Sequence, residues 1–317
     1  MPRPSRISTD PLAVQLLREG IVESIHHVHA AVSDNRGRLL SVAGDADYAS
    51  FIRSALKPFQ AMAVPSTGAL DTFKLTDKDL AIICGSHHGS TAQARQVFGI
   101  LWRADLEPTC LQCPIPHGKK SALEHNCSGK HAGMLAVCKQ RGWELNTYLQ
   151  RSHPLQKMIV NRFSELLGMP PDEFICAHDD CGAPTYFMQL HQMATLYAKL
   201  ASGENLEMER VVRAMTHHPD MVAGPQGFDT ELMRLTSGEI LSKSGAEGIQ
   251  CISRVGEGLG LALKVVDGSK RAKYAAAIHV LRQLGWISPD IADTLAETYL
   301  NLSSYKRLEM VGEVAMV

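Results

Sequence analysis

The sequence predicts an α/β (α+β) chain: an antiparallel sheet built from both termini, flanked by helices, with a mainly helical subregion between. Three observations predict it. Strand-like patterning occupies residues 14–42 and returns at 239–266 and 308–314. Helical periodicity fills most of the stretch between. No repeat, low-complexity tract or linker divides the 317 residues. That length suits a single catalytic domain over 1–317, with the helical subregion inserted at about 60–235.

The elements follow in order. Ile21, Ile25 and Val28 alternate loosely with polar residues, and Asp34-Asn35-Arg36-Gly37 is a turn signal that returns the chain as a second strand at Leu39–Val42. A helical region is predicted from about Lys57 to Val64. Thr76, followed by acidic residues, caps a helix to Cys84, and Ser90 caps an amphipathic helix to about Trp102. Residues 107–128 hold Pro108, Pro114, Pro116 and Gly118 and read as a long irregular loop, a form that often carries function. Helices are predicted over 129–140, over 154–167 with Gly168 as the stop, over 184–200 and over 206–215. Strands resume at 239–242, 249–255 and 259–266, the last two joined by Gly256-Glu257-Gly258. Helices at 271–284 and 289–299 and a strand at 308–314 close the chain.

Composition excludes several classes. The chain is 45% hydrophobic and 21% charged, as soluble globular proteins are. Its formal net charge is −1 and no basic run occurs, which argues against a nucleic-acid or anionic-membrane partner. No apolar stretch is long enough to cross a bilayer. Met1-Pro2-Arg3-Pro4-Ser5 lacks the apolar core of a signal peptide, so a cytoplasmic protein is expected. The eight cysteines are then expected as thiols or metal ligands rather than disulfides.

Five stretches could carry chemistry, the last two as a pair. In Arg53-Ser54-Ala55-Leu56-Lys57-Pro58, a serine precedes a lysine by three residues, the spacing of a nucleophile and its base on one helical turn. Pro58 is tolerated in the first turn of a helix, which places Ser54 at or just ahead of the helix start. Lys57 acts as a base only if its surroundings keep it neutral; the bland alternative is a surface lysine. Lys243-Ser244-Gly245, on or after a late strand, resembles the Lys-Thr-Gly triplet that follows Ser-x-x-Lys in β-lactamases and transpeptidases. There a strand-edge cation would hold a substrate carboxylate. Cys84-Gly85-Ser86-His87-His88-Gly89 presents a serine in a glycine-flanked turn, equally readable as a polar surface turn. Two further loops, His125-Asn126-Cys127-Ser128-Gly129-Lys130-His131 and His178-Asp179-Asp180-Cys181, hold thiols and imidazoles suited to zinc. Spacing alone nominates Cys127, His131 and Cys181. The alternative is buried free cysteines. Cys110-x-x-Cys113 looks like half of a zinc site, but Pro114 follows and no second pair matches it, so the bland reading is preferred there.

Taken in order, six segments resemble the class 3, rhizobial-type L-asparaginases. They are 53–60, 84–89, 126–133, 179–184, 218–224 (His218-Pro219-Asp220-Met221-Val222-Ala223-Gly224) and 243–248, and the likeness runs from about residue 10 to the C-terminus. The resemblance implies a fold similar to serine β-lactamases and glutaminases, and a homodimer that hydrolyses L-asparagine to L-aspartate and ammonia. It implies two Ser–Lys pairs, Ser54 with Lys57 and Ser86 with Lys243. It also implies zinc held by Cys127, Lys130 and Cys181 rather than by His131. A lysine must lose its proton to bind a metal, so residue chemistry alone would rarely choose it. Arg53, His131 and Asp179 are then expected to bind substrate or to orient the metal ligands. Two alternatives stay open: another acyl-transfer hydrolase of the same fold (a glutaminase, peptidase or β-lactamase-like enzyme), or a zinc-stabilised binding protein with inert serines.

Overall fold

The longest strand, residues 21–34, organises the sheet. The computed structural model of the chain describes residues 8–317. Met1–Ser5, read above for a leader, lies outside the described residues. In chain order the elements are β1 (Leu12–Arg18), β2 (Ile21–Asp34), β3 (Leu39–Ala43), β4 (Ala49–Phe51), a 3-10 turn at Arg53–Leu56, α1 (Lys57–Ala61), α2 (Ala63–Ser66), α3 (Ala69–Thr72), α4 (Asp77–Cys84), α5 (Thr91–Arg103), α6 (Ser128–Arg141) and α7 (Pro154–Leu167). Then come β5 (Cys176–His178), β6 (Pro184–Gln189), α8 (Leu190–Leu200), α9 (Leu206–His217), α10 (Pro219–Ala223), α11 (Phe228–Leu235), β7 (Ile240–Ser244), β8 (Ile249–Arg254) and β9 (Leu259–Val265). α12 (Lys270–Gln283), α13 (Pro289–Tyr299), β10 (Asn301–Ser303), β11 (Lys306–Val311) and β12 (Ala315–Met316) complete the chain.

Two compact units result. The first takes the described part of Met1–Ala55, with Met188–Ser202 and Leu235–Val317; the second takes Leu56–Phe187 and Gly203–Arg234.

The first unit carries the antiparallel sheet expected from both termini. Its strand order is β10-β11-β1-β2-β9-β8-β7, with β3 beside β2 and β12 beside β3. β2 pairs with β1 over its first half and with β9 over Val28–Asp34, which joins the N-terminal hairpin to the C-terminal strands. Ser33, Gly260 and Ser253 lie in register across β2, β9 and β8. These small residues let α8 lie close on the sheet. A Cβ at Gly260 would stand 2.1 Å from the Ala194 carbonyl oxygen, and Ser253 Oγ donates to the Tyr197 carbonyl at 2.7 Å. α12 packs against β1, β2, β8, β9 and β11.

The second unit is mainly helical, with β5 and β6 paired antiparallel. Thr76 and Ser90 cap α4 and α5 through reciprocal boxes with Asp79 and Gln93. Fully buried Asp79 then accepts from Gln96 at 2.6 Å and Arg103 at 2.5 Å, which ties α5 to the start of α4.

One expected helix is corrected. Residues 184–200 are not one helix: 184–189 form β6, and α8 starts only at Leu190. Thr185, Tyr186 and Phe187 favour a strand. Gln189 and Gln192 cap the helix reciprocally, so the boundary has a local cause. The short helices α10 and α11, and the strands β4 and β5, were not foreseen.

Candidate active site

In the first unit the Ser54 turn is held from two sides. Arg53 has φ +52°, a left-handed conformation that is costly for a residue with a side chain, and Ser54 follows it in the 3-10 turn. The Tyr197 hydroxyl on α8 donates to the Ala55 carbonyl at 2.7 Å. Lys243 lies fully buried on β7, and its Nζ donates to the Ser244 carbonyl at 2.8 Å. Gly245 ends that strand against the residue two before Ser54: a Cβ there would stand 3.0 Å from the Ile52 carbonyl oxygen and 2.8 Å from Ile249 Cβ. The glycine of Lys243-Ser244-Gly245 is therefore a close-approach glycine. Ser244 Oγ donates to Gln250, Gln250 donates to Ser242 Oγ, and buried Lys273 donates to the Gly245 carbonyl at 3.0 Å. The strand that bears Lys243 is thus pinned from its other face.

In the second unit Lys57 opens α1, with Pro58 beside it, as the first-turn argument requires. The bland alternative of a surface lysine fails, because Lys57 is 1% exposed. Its Nζ donates to the Gly85 carbonyl at 2.6 Å, to Ser86 Oγ at 3.0 Å and to the Asn126 carbonyl at 3.3 Å. Ser86 thus bonds the lysine of the first expected pair. Spacing could not show it, because 29 residues separate the partners. Ser86 N–H bonds the Val222 carbonyl at 2.7 Å.

The neighbouring imidazole has a defined tautomer. His87 Nδ1 accepts from Gly89 N–H at 3.0 Å, so the proton lies on Nε2 and goes to Ser128 Oγ at 2.9 Å, which in turn donates to the Leu123 carbonyl. Burial first, then the charge of Lys57, lowers the His87 pKa to about 3. It is a neutral structural link between the Ser86 loop and α6.

Cys127, Lys130 and Cys181 come together in the same unit. Lys130 Nζ donates to Cys181 Sγ at 3.0 Å, and Cys181 bonds Cys127. The Cys181 hydrogen bond holds the Cys127 thiol well below its usual range against the opposing effect of burial, with Lys57 and Lys130 helping. The same hydrogen bond, then burial, pushes Cys181 up. Burial alone would lower Lys130, but the two sulfurs outweigh it and raise it. The pattern is ammonium to thiol to thiolate. Asp179 lies within electrostatic reach of Lys130.

The spacing-based metal set is corrected. Among the described residues, no group of three or more His, Cys, Asp or Glu is arranged to hold a metal ion, so Cys127, His131 and Cys181 do not form one. His131, one residue further round α6 than Lys130, turns to Tyr148 instead: its Nδ1 is 2.6 Å from the hydroxyl. That hydroxyl also accepts from Gln112 N–H at 3.1 Å. Nε2 is buried with no partner among the described residues. Nothing in the sequence marked Tyr148. The donors that do fit a soft metal are Cys127, Cys181 and Lys130, two sulfurs and an amine already in contact, provided the amine loses its proton. All eight cysteines are unbridged. Cys113 remains a thiol whose pKa burial pushes up to about 12, in keeping with the bland reading of Cys110-x-x-Cys113.

The family model described as L-asparaginase II matches residues 14–316, nearly the whole chain. The chain belongs to the L-asparaginase II family. No curated relative matches it. Among solved structures it is similar to a protein described as Mglu in its native form, with a TM-score of 0.48 and 16% identity over 83% of this chain and 66% of that one. It is also similar to a β-lactamase, Mb2281c, from Mycobacterium bovis, with a TM-score of 0.36 and 14% identity over 86% of this chain and 95% of that one. The chain thus spans just under two thirds of the length of that Mglu chain. Among the described residues, no helix is long and apolar enough to cross a membrane.

Proposed function

We propose that the chain is an L-asparaginase that hydrolyses L-asparagine to L-aspartate and ammonia through an acyl-enzyme. The family match over 14–316 carries this reading. The buried Lys57 amine in contact with Ser86 Oγ supports a serine–lysine mechanism. Ser54 attacks the side-chain amide carbon, and Lys57, one turn on and in its neutral form, takes its proton. Ser86, bonded to Lys57, passes that proton to the leaving amine. Lys243 completes the second pair and, with Arg53, holds the substrate carboxylate. His131 turns its unpartnered Nε2 to a polar group of the substrate, and Asp179 attracts the substrate ammonium.

Cys127, Lys130 and Cys181 would hold zinc, which when bound supplies a fixed positive charge that orients the substrate's charged groups. The family resemblance supports a cytoplasmic homodimer, and sedimentation of the purified chain at the mass of a monomer would contradict the dimer.

The test is a substrate panel of L-asparagine, L-glutamine and a chromogenic β-lactam, run on the wild type and on Ser54→Ala. Ammonia from asparagine that Ser54→Ala abolishes supports the proposal. Turnover of glutamine or the β-lactam alone points to another hydrolase of this fold. Bound zinc with no hydrolysis points to a binding protein.

A further inference from the structure

Of the six segments that carry the family likeness, 218–224 supplies no group to the proposed hydrolysis. Its contacts point to another use. The Ser86 N–H donates to the Val222 carbonyl at 2.7 Å, and a Cβ at Gly85 would collide with the Met221 carbonyl oxygen. The turn that presents Ser86 therefore rests directly on this segment, with a glycine where no side chain fits.

Gln93, 1% exposed near the start of α5, ties the two together. Its Oε1 accepts from the His88 N–H at 3.2 Å and the Ser90 N–H at 3.1 Å, while Nε2 donates to the Asp220 carbonyl at 3.1 Å. Backbone N–H groups only donate and a carbonyl only accepts, so a single orientation of the amide serves all three. Buried Thr230 donates to the Pro219 carbonyl at 2.9 Å and holds the same segment near its start.

We propose that Gln93 is a positioning residue for the hydrolysis: it fixes the Ser86 turn against the 218–224 segment and so sets where the Ser86 hydroxyl stands when it hands a proton to the leaving amine. The inference rests on the reading of Ser86 as that relay.

A helix cap alone does not call for glutamine. Gln93 stands third in α5, where a glutamate closes the box with Ser90 equally well and its charge suits the helix start. What glutamine adds is the Nε2–H, and that bond leaves the helix for Asp220. Without it the 218–224 segment is released to shift, and with it the carbonyl that holds the Ser86 N–H. A misplacement of about an ångström at a reacting group costs on the order of a hundredfold in rate. The loss falls on proton delivery and spares substrate binding. An amide nitrogen leaves only with a proton, whereas a phenyl ester expels phenolate without one, so the substrate's leaving group reports the step.

The experiment compares ammonia release from L-asparagine with the burst of phenol from the β-phenyl ester of L-aspartate, in Gln93→Glu, Gln93→Met and Ser86→Ala. Gln93→Met carries no proton to donate, which guards against a protonated glutamic acid restoring the bond. Both Gln93 variants should lose about ten- to hundredfold in kcat on asparagine with KM within about twofold, and keep the phenol burst within about threefold. Ser86→Ala should show the same amide-selective loss, and the urea midpoint of Gln93→Glu should stay near that of the wild type. Asparagine turnover retained in both Gln93 variants, or an equal loss on both substrates, overturns the proposal alone when Ser86→Ala is amide-selective. A Ser86→Ala chain with no amide-selective loss overturns the relay reading and the proposal with it. If neither Gln93 variant folds, Thr230→Val, which releases the same segment at Pro219, must show the amide-selective loss, and its absence overturns the proposal.

Discussion

Lys57→Met separates a catalytic lysine from a structural one. Methionine keeps the length and apolar stem of the side chain and removes every N–H. The Gly85 and Asn126 carbonyls, which accept at 2.6 and 3.3 Å, lose their donor. Each orphaned buried acceptor costs about 1–3 kcal/mol. Against this, the variant no longer buries a polar amine, whose removal from water carries its own cost. The two effects oppose each other, so the expected net change in stability is small, within about 2 kcal/mol either way. Activity should behave differently. A positioned general base contributes about 10²–10⁴-fold, or about 2.7–5.4 kcal/mol of barrier. Ammonia release from L-asparagine should fall by that factor while the urea midpoint stays near that of the wild type. Lys57→Arg should not rescue it, because a guanidinium does not give up its proton. Turnover within tenfold of wild type in a folded Lys57→Met chain refutes the reasoning.

Other consequences can be measured independently. Asp79→Ala removes the acceptor shared by Thr76, Gln96 and Arg103, and should lower unfolding stability by about 3 kcal/mol in urea; a change below about 1 kcal/mol would mean the cap and ion pair contribute little. His87, at about 3 in the folded chain against an ordinary 6.5, stays neutral when folded but takes a proton when unfolded. Its contribution is therefore complete above pH 6.5 and is lost as pH falls toward 3, at up to about 1.4 kcal/mol per pH unit. His87→Gln should flatten that part of the stability profile, and an unchanged profile between pH 6.5 and 4 counts against the buried neutral imidazole. Cys127→Ser and Cys181→Ser should each lower the zinc content of the purified protein; elemental analysis showing one equivalent in both would remove these residues as ligands.

Much of the fold was legible because its signals are local. The Asp34–Gly37 turn, the Thr76 and Ser90 caps and the Gly168 stop each act within a few residues, and α4, α5 and α7 begin or end where those residues place them. β6 was missed because its six residues adjoin the start of α8, and the apolar run reads with either period. The site divides the same way. The first-turn position of Lys57 could be argued from Pro58, but its bond to Ser86 depends on how the loop after α4 meets α1. Choosing between Lys130 and His131 needed the rotation of α6 and the presence of Tyr148, which sits 17 residues from His131 and carries no motif. The glycine of Lys243-Ser244-Gly245 was recognisable as a type, whereas its contact with Ile52 belongs to the packed sheet end.

The most direct test is to quench the chain during turnover of L-asparagine and map the covalent adduct. The account predicts the mass of one aspartyl group as an ester on the peptide containing Ser54, absent from Ser54→Ala. An adduct on the peptide containing Ser86, or no adduct while ammonia is still released, contradicts it.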